Sequence, residues 1–189
     1  MSVRDFTHES IADIAYKILC SKPITKFTMK ELADACNISK PTLYHHFKDK
    51  YEIAQYICKR FSDAFYQEHS FSDILNDKIP ETQFYIFRYA DFFRNVLCYE
   101  GQNNIFDYLS ELELTECLKE ARQILNTDAL SEDLLASAEY YAYSVWHAMY
   151  AMLEGKIPQR YLSAKKPAMA MYWPPLLTET FSRNKDNQV

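Results

Sequence analysis

Glycine is nearly absent from this chain, which contains only Gly101 and Gly155 among its 189 residues. Sandwiches and barrels need many turns whose residues tolerate positive φ, so this scarcity argues against both architectures. It also excludes the glycine-rich loops with which P-loop and Rossmann proteins hold phosphates. Nucleotide binding through either motif is therefore not expected.

Paired cysteines, a leader segment and long apolar runs are missing as well. The five cysteines are dispersed and form no C-x-x-C pair, a pattern typical of reduced thiols in the cytosol. A redox sensor is the alternative, and it would need an exposed, reactive thiolate. The N-terminus has no apolar h-region, and no apolar run approaches the roughly 18 residues of a membrane span. We expect a cytoplasmic protein that needs no cofactor and no membrane.

Patterns typical of helical enzymes and metal sites are also missing. A di-iron bundle needs Glu-x-x-His pairs, and none of the five histidines follows a glutamate by three residues. The sequence contains no G-x-S-x-G or H-E-x-x-H motif. His45 and His46 are adjacent, so on a helix they point about 100° apart and cannot jointly chelate a metal. We therefore expect neither an enzyme nor a metal site.

Apolar residues recur with helical spacing along almost the whole chain. The spacing predicts helices over residues 8–21, 29–36, 40–47, 49–69, 81–99, 104–125, 131–153 and 163–183, the last interrupted at Trp173-Pro174-Pro175. Thr28, Ser39 and Asp49 are predicted to cap the second, third and fourth helices. We expect an all-α fold of about nine helices. Residues 1–50 would form a three-helix helix-turn-helix domain and residues 51–189 a helical bundle that dimerises.

The net charge is divided unevenly along the chain. It is −5 overall, but residues 1–60 hold ten Lys/Arg against seven Asp/Glu, a net of +3. Residues 61–189 hold eleven against nineteen, a net of −8. This asymmetry is typical of a basic DNA-reading segment on an acidic body.

The second and third helices, joined by the turn Asn37-Ile38-Ser39, match a helix-turn-helix whose second helix enters the major groove. Lys40 and Pro41 stand at the leading end of that reading helix, where side chains reach base edges. The Lys40 ammonium can donate to guanine O6 and N7. Direct base reading is therefore predicted at this end.

Phosphate contacts are predicted around the reading helix. Thr42, Tyr44 and His46 offer hydroxyl and imidazole groups to phosphate oxygens. Lys50 stands at the start of the fourth helix, where a cation and backbone amides together favour a phosphate. Lys30 is placed to touch either a phosphate or a base. As alternatives, Tyr44 could be a half-buried core residue, and the lysines of this region could form a solvated face.

The segment 27–50, FTMKELADACNISKPTLYHHFKDK, resembles the signature of TetR-family regulators, most specifically in Thr-Leu-Tyr-His-His-Phe-Lys-Asp-Lys. The resemblance implies phosphate contacts by Thr28, Thr42, Tyr44, His46 and Lys50, and it places Lys30, Lys40, Pro41 and His45 near bases. The family usually has glycine at the turn position held here by Asn37. Asparagine tolerates the left-handed conformation better than most residues, so the turn is expected to survive.

The family resemblance implies that the rest of the chain senses a ligand and dimerises, through its last two helical regions. Around Tyr99-Glu-Gly-Gln-Asn-Asn the chain resembles a Firmicutes-type subgroup that includes a regulator associated with dihydroxyacetone kinase. Aromatic side chains with polar tips suit a pocket for a ligand of mixed polarity. The candidate effector pocket consists of Tyr89, Phe92, Phe93, Tyr108, Tyr143, Trp146, His147 and Tyr150. The alternative for each is ordinary core or dimer interface.

These observations predict a homodimeric repressor that reads a near-palindromic double-stranded operator and is released by an unknown small-molecule effector. The alternative is an activator, or a partner-binding member of the family, whose C-terminal body docks another protein. Exposed apolar area near residues 161–173 would favour that alternative.

Overall fold

Eight helices lie within the part of the chain that the computed structural model describes, which is residues 8–70, 73, 79 and 84–158. No strand occurs among these residues. The helices are α1 His8–Leu19, α2 Met29–Cys36, α3 Lys40–His46, α4 Lys50–Glu68, α5 Tyr85–Arg88, α6 Ala90–Leu97, α7 Ile105–Leu125 and α8 Glu132–Leu153. The all-α prediction is confirmed, and the helix count is close to the predicted one.

One predicted helix is divided. The spacing predicted a continuous helix over residues 81–99, whereas the chain forms α5 and α6 with a break at Tyr89 (φ −116°, ψ 40°). The Tyr89 ring stacks on Phe61 of α4 with centroids 3.8 Å apart and planes 9° apart. Because the stacking joins two helices that are far apart in the sequence, helical periodicity did not reveal the break at Tyr89. The predicted helix over residues 163–183 and its Trp173-Pro174-Pro175 interruption lie outside the described residues.

The predicted helix caps are confirmed. Thr28 accepts a hydrogen bond from the Glu31 amide, Ser39 accepts one from Thr42, and Asp49 accepts from the first amides of α4. These bonds satisfy donors that have no partner within the helix. Asn37, at the end of α2, adopts the left-handed conformation (φ 54°, ψ 44°), as expected of the turn.

Helices α1, α2 and α3, residues 8–46, form what we call the head. None of them could bury an apolar face alone, so they pack against one another and against the start of α4. Leu32, Leu43 and Phe47 are almost completely buried between these helices, together with Ile11 and Ile53.

The remaining helices, α4 to α8, form what we call the body. Its centre is the pairing of α7 with α8, which α4, α5 and α6 cover. Trp146 on α8 is the largest fully buried side chain, and its ring lies 5.4 Å from that of Tyr85. None of the helices in the described ranges is long and apolar enough to span a membrane.

Helix α6 joins the body to the head. Asn95 donates from Nδ2 to the Leu19 carbonyl oxygen over 2.8 Å, and its own carbonyl oxygen accepts from the Ile24 amide over 2.9 Å. The preceding residue, Arg94, donates to the Leu153 carbonyl oxygen at the end of α8 over 3.2 Å. Consecutive residues of α6 therefore contact the base of the head and the end of α8.

Candidate DNA-binding interface

Helix α3 is held at its two ends and left open along its outer surface. Ser39 caps its start, Pro41 occupies its first turn, and Leu43 is its one buried residue. Proline is tolerated there because first-turn amides lack intrahelical partners. The side chains that α3 exposes are Lys40, Pro41, Thr42, Tyr44 and His45. All five are predicted DNA contacts, and the structure brings them together on one helix.

Tyr44 is 51% exposed, so about half of its side chain is open to solvent. Its hydroxyl group can reach solvent, as a phosphate contact requires. The exposure is consistent with the predicted role, which itself stays a prediction.

The hydroxyl groups of Thr28 and Thr42 also serve the protein itself. Thr28 Oγ1 accepts from the Glu31 amide over 3.2 Å, and Thr42 Oγ1 lies 2.8 Å from Ser39 Oγ. A hydroxyl group can donate and accept at once. Thr28 therefore keeps its proton for a phosphate oxygen while it caps α2.

The lysines of the head and of the connection between α3 and α4 differ in their pairing. Lys22 forms an ion pair with Glu31 over 2.5 Å. Within the described residues, Lys30, Lys40 and Lys48 are exposed and form no ion pair. Three ammonium groups are thus available to phosphates or bases on the surface that carries α3.

Lys50 is engaged within the head. Its Nζ donates to the carbonyl oxygens of Ile24, Thr25 and Phe27 over 2.7, 3.3 and 3.2 Å. An ammonium has three donors, and these carbonyl groups use all three. The adjoining amides of α4 donate to Asp49 Oδ1. The predicted phosphate site at Lys50 is therefore occupied by the protein's own groups in this conformation, and Lys50 positions the connection between α1 and α2.

His46 is only partly exposed. Its ring lies 5.0 Å from that of His8, and its Nδ1 atom is buried without a hydrogen-bond partner in the described part of the chain. Burial lowers the pKa of His46, and the neighbouring His8 and His45 lower it further. The lowered pKa favours the neutral form of the ring in the chain without DNA.

The eight residues of the predicted effector pocket do not line one space. Phe92 and Phe93 are both 0% exposed and belong to the core, whereas Tyr143 is 51% exposed. His147 and Tyr150 line an open surface groove of about 380 Å³ together with Phe106. Tyr89 and Tyr108 are half-buried elsewhere in the body. The remaining residue of the set, Trp146, lines an internal cavity of about 20 Å³.

Sequence reasoning missed the polar centre of that cavity. Glu113 on α7 is 6% exposed, and it accepts hydrogen bonds from the hydroxyl groups of Tyr66 over 3.0 Å and Tyr141 over 3.2 Å. Glu113 lies on the buried stripe of α7, four residues after Leu109 and four residues before Cys117. A carboxylate within an apolar stripe is the signal that could have identified it.

The tyrosines around Glu113 remain protonated donors. Burial raises the pKa of Tyr66, Tyr85 and Tyr141 well above the usual value, and the negative charge of Glu113 raises it further. No group of three His, Cys, Asp or Glu side chains among the described residues is arranged to hold a metal ion.

Comparison with known proteins agrees with the geometry of the head. Residues 11–57 match the family described as bacterial regulatory proteins, tetR family. Proteins called HTH-type transcriptional regulators from the Staphylococcus aureus strains USA300, NCTC 8325 / PS 47 and COL are 33% identical over 57 residues. The match covers 30% of this chain and 31% of each relative. The family match therefore spans the head and the first part of α4.

Proposed function

We propose that this chain, whose N-terminal segment is a TetR-family helix-turn-helix, is a cytoplasmic transcriptional repressor that a small-molecule effector releases from its DNA operator. The observation that carries the proposal is the exposed surface of α3. It presents an ammonium group at its start, at Lys40, and the hydroxyl groups of Thr42 and Tyr44 beside it. This is the order in which a reading helix needs base-reading and phosphate-holding groups.

The proposed repressor is a homodimer. Tyr140 and Tyr143 on α8 are 79% and 51% exposed. Tyrosine is enriched at protein interfaces because it combines a large apolar area with a polar tip. A second copy of α8 would cover these rings, and two reading helices about one DNA turn apart would read a near-palindrome. The other helical region expected at this interface, residues 163–183, lies outside the described residues.

A second candidate function is supported by the same two exposed tyrosines. They would equally suit another protein, as expected of an activator whose body docks a partner. Light scattering distinguishes the two, because the repressor proposal requires a dimer of the purified chain and a loss of that dimer when Tyr140 and Tyr143 are changed to serine. A monomer that forms a stoichiometric complex with another protein would favour the activator.

Release by an effector requires a connection between body and head. Asn95 and Arg94 on α6 provide contacts to both, as described above. A ligand that shifts α6 would change the position of the head, and DNA and ligand would then weaken each other's binding by the same factor.

The test of DNA binding is fluorescence anisotropy on the region upstream of the chain's own gene, with a shuffled duplex as control. Because residues 1–60 carry a net charge of +3 and residues 61–189 a net charge of −8, we expect binding to weaken steeply as salt rises. Equal affinity for the two duplexes at every salt concentration would refute sequence-specific regulation.

A further inference from the structure

The cavity in the body combines a buried carboxylate with aromatic rings. Glu113 lies against it, with the Tyr66 and Tyr141 hydroxyl groups donating to the two carboxylate oxygens. The other aromatic side chains around it are Phe65, Phe84, Tyr85 and Trp146. A carboxylate and the faces of aromatic rings are both electronegative surfaces, so the lining as a whole is complementary to a cation.

A second observation points to a ligand in the same place. Trp146 lines the cavity and is 2% exposed, and its Nε1–H has no hydrogen-bond partner in the part of the chain that the structure describes. A buried donor without an acceptor is unfavourable and calls for an oxygen or nitrogen atom from outside the protein. The residues around the cavity thus include a carboxylate and a buried indole N–H that has no acceptor among the described residues.

We propose that this cavity is the inner end of the effector site and that the effector is a compact organic cation, an ammonium compound that also carries a hydrogen-bond acceptor. Its ammonium group would lie between Glu113 and the aromatic rings, and its acceptor would face Trp146 Nε1. That the ligand acts as an effector rests on the proposed function, whereas binding of the ligand in the cavity does not.

The ligand enters by displacing one wall. A cavity of about 20 Å³ holds little more than one water molecule. Phe84, Tyr85 and Ile86, at the start of α5, form one wall of it. Helix α5 has only four residues, lacks a side-chain cap at its start, and ends where Tyr89 leaves the helical conformation. In this proposal α5 is the wall that moves to admit the ligand.

Displacement of α5 would reach the head. Helix α5 is followed directly by α6, whose Asn95 is bonded to Leu19 and Ile24. The same shift that admits the ligand would therefore move the base of the head, as release from DNA requires.

The test uses three probes that share one skeleton and differ in charge: 2-phenoxyethylamine, 2-phenoxyethanol and phenoxyacetate. Calorimetric titration of the full chain measures each affinity. We expect the ammonium probe to bind about tenfold or more tightly than the alcohol and phenoxyacetate not to bind. Fluorescence of a Trp173→Phe chain, in which Trp146 is the one remaining tryptophan, should change only with the probe that binds.

The matched variants are Glu113→Gln and Glu111→Gln, which remove one carboxylate from the inside and from the exposed surface of α7. Glu113→Gln should abolish the preference for the ammonium probe, and Glu111→Gln should keep it. If Glu113→Gln does not fold, the order of the three probes on the natural chain decides. Equal binding of amine and alcohol, or no saturable binding of the amine, overturns the proposal.

The two proposals fail separately. If the chain binds its upstream DNA and no amine, the effector inference is wrong and the DNA-binding function stands. If it binds the amine and no DNA, the DNA-binding function is wrong and only the ligand site stands. If it binds both but the amine leaves DNA affinity unchanged, the cavity is not an effector site and the proposal is overturned.

Discussion

Asn95 of α6 donates from Nδ2 to the carbonyl oxygen of Leu19, the last residue of α1, over 2.8 Å. The same residue accepts from the Ile24 amide through its backbone. A side chain of the body thus completes the backbone hydrogen bonding at the base of the head.

Replacement of Asn95 by alanine should therefore destabilise the chain. The Leu19 carbonyl loses its partly buried donor, which costs about 1–2 kcal/mol in the free energy of unfolding. Urea unfolding followed by circular dichroism measures the loss. Gln123→Ala, which removes an exposed amide from α7, is the control and should change the free energy little. Equal effects of the two substitutions would show that the Asn95 bond does not stabilise the chain.

Tyr44→Phe and Lys40→Ala should weaken DNA binding in different ways. Loss of a hydroxyl–phosphate contact lowers affinity similarly on every sequence, by about tenfold. Loss of Lys40 should relax the preference at one base position. Anisotropy titrations on a set of single-base operator variants measure both effects.

Tyr143→Phe is the matched control, because it removes a hydroxyl from an equally exposed tyrosine of α8 and keeps the ring that the proposed dimer would cover. If Tyr44→Phe lowers the melting temperature and leaves DNA affinity unchanged, the phosphate assignment of Tyr44 is wrong.

Lys50→Met should cost stability more than it changes the salt dependence of DNA binding. The three carbonyl groups of Ile24, Thr25 and Phe27 lose their shared donor, which should lower the free energy of unfolding by about 2–3 kcal/mol. A residue that contacts phosphate would instead reduce the slope of log K against log salt by about 1. Lys48→Met, at an exposed position, is the control for charge. A reduced slope of log K against log salt, with an unchanged free energy of unfolding, would show that Lys50 contacts a phosphate.

The stability of the head should fall below neutral pH. Because the pKa of His46 is lowered in the folded chain, by burial first and by His8 and His45 next, the unfolded chain binds the proton more readily. The contribution of His46 to the free energy of unfolding is therefore complete above about pH 6.5, the pKa in the unfolded chain. It is lost as the pH falls from there toward the lower pKa of the folded chain.

Urea unfolding at about pH 7.5 and about pH 5.5 tests this expectation. The natural chain should lose more stability between the two than His46→Gln does, and the exposed His147→Gln should behave as the natural chain. An equal loss in all three proteins would show that other groups cause the pH dependence.

Asn37→Ala should destabilise the helix-turn-helix, whereas Asn37→Gly should not. The backbone of Asn37 has φ 54°, where a β-carbon is unfavourable and glycine is at ease. We expect alanine to cost about 1 kcal/mol. Asn126→Ala, at the matching left-handed position after α7 (φ 50°), should cost a similar amount and leave DNA affinity unaltered. A neutral Asn37→Ala would mean that the turn can change its conformation.

Predictions that depended on neighbouring residues were confirmed. The caps at Thr28, Ser39 and Asp49 were legible because each side chain bonds an amide two or three residues away. The left-handed turn at Asn37 could likewise be expected from the sequence, because tolerance of that conformation depends on the residue itself.

Predictions that depended on distant contacts fared differently. Lys50 is engaged by carbonyl groups 23 to 26 residues earlier in the chain, and no spacing in the sequence marks such a partner. The aromatic residues proposed for one pocket are divided between the core, the surface and a groove because their helices present them in different directions. Within that set, periodicity could not distinguish a buried ring from an exposed one.

The sequence by itself therefore determined most of the described helices, the caps of α2, α3 and α4, the turn and the polar surface of α3, because each of these depends on interactions within one or two helical turns. Tertiary structure alone decided that Lys50 serves the fold, that Asn95 joins the body to the head, and that Glu113 lies among aromatic rings. Each of these is a contact between segments that are far apart in sequence. The packing of whole helices sets such contacts, and a local pattern of residues does not encode it.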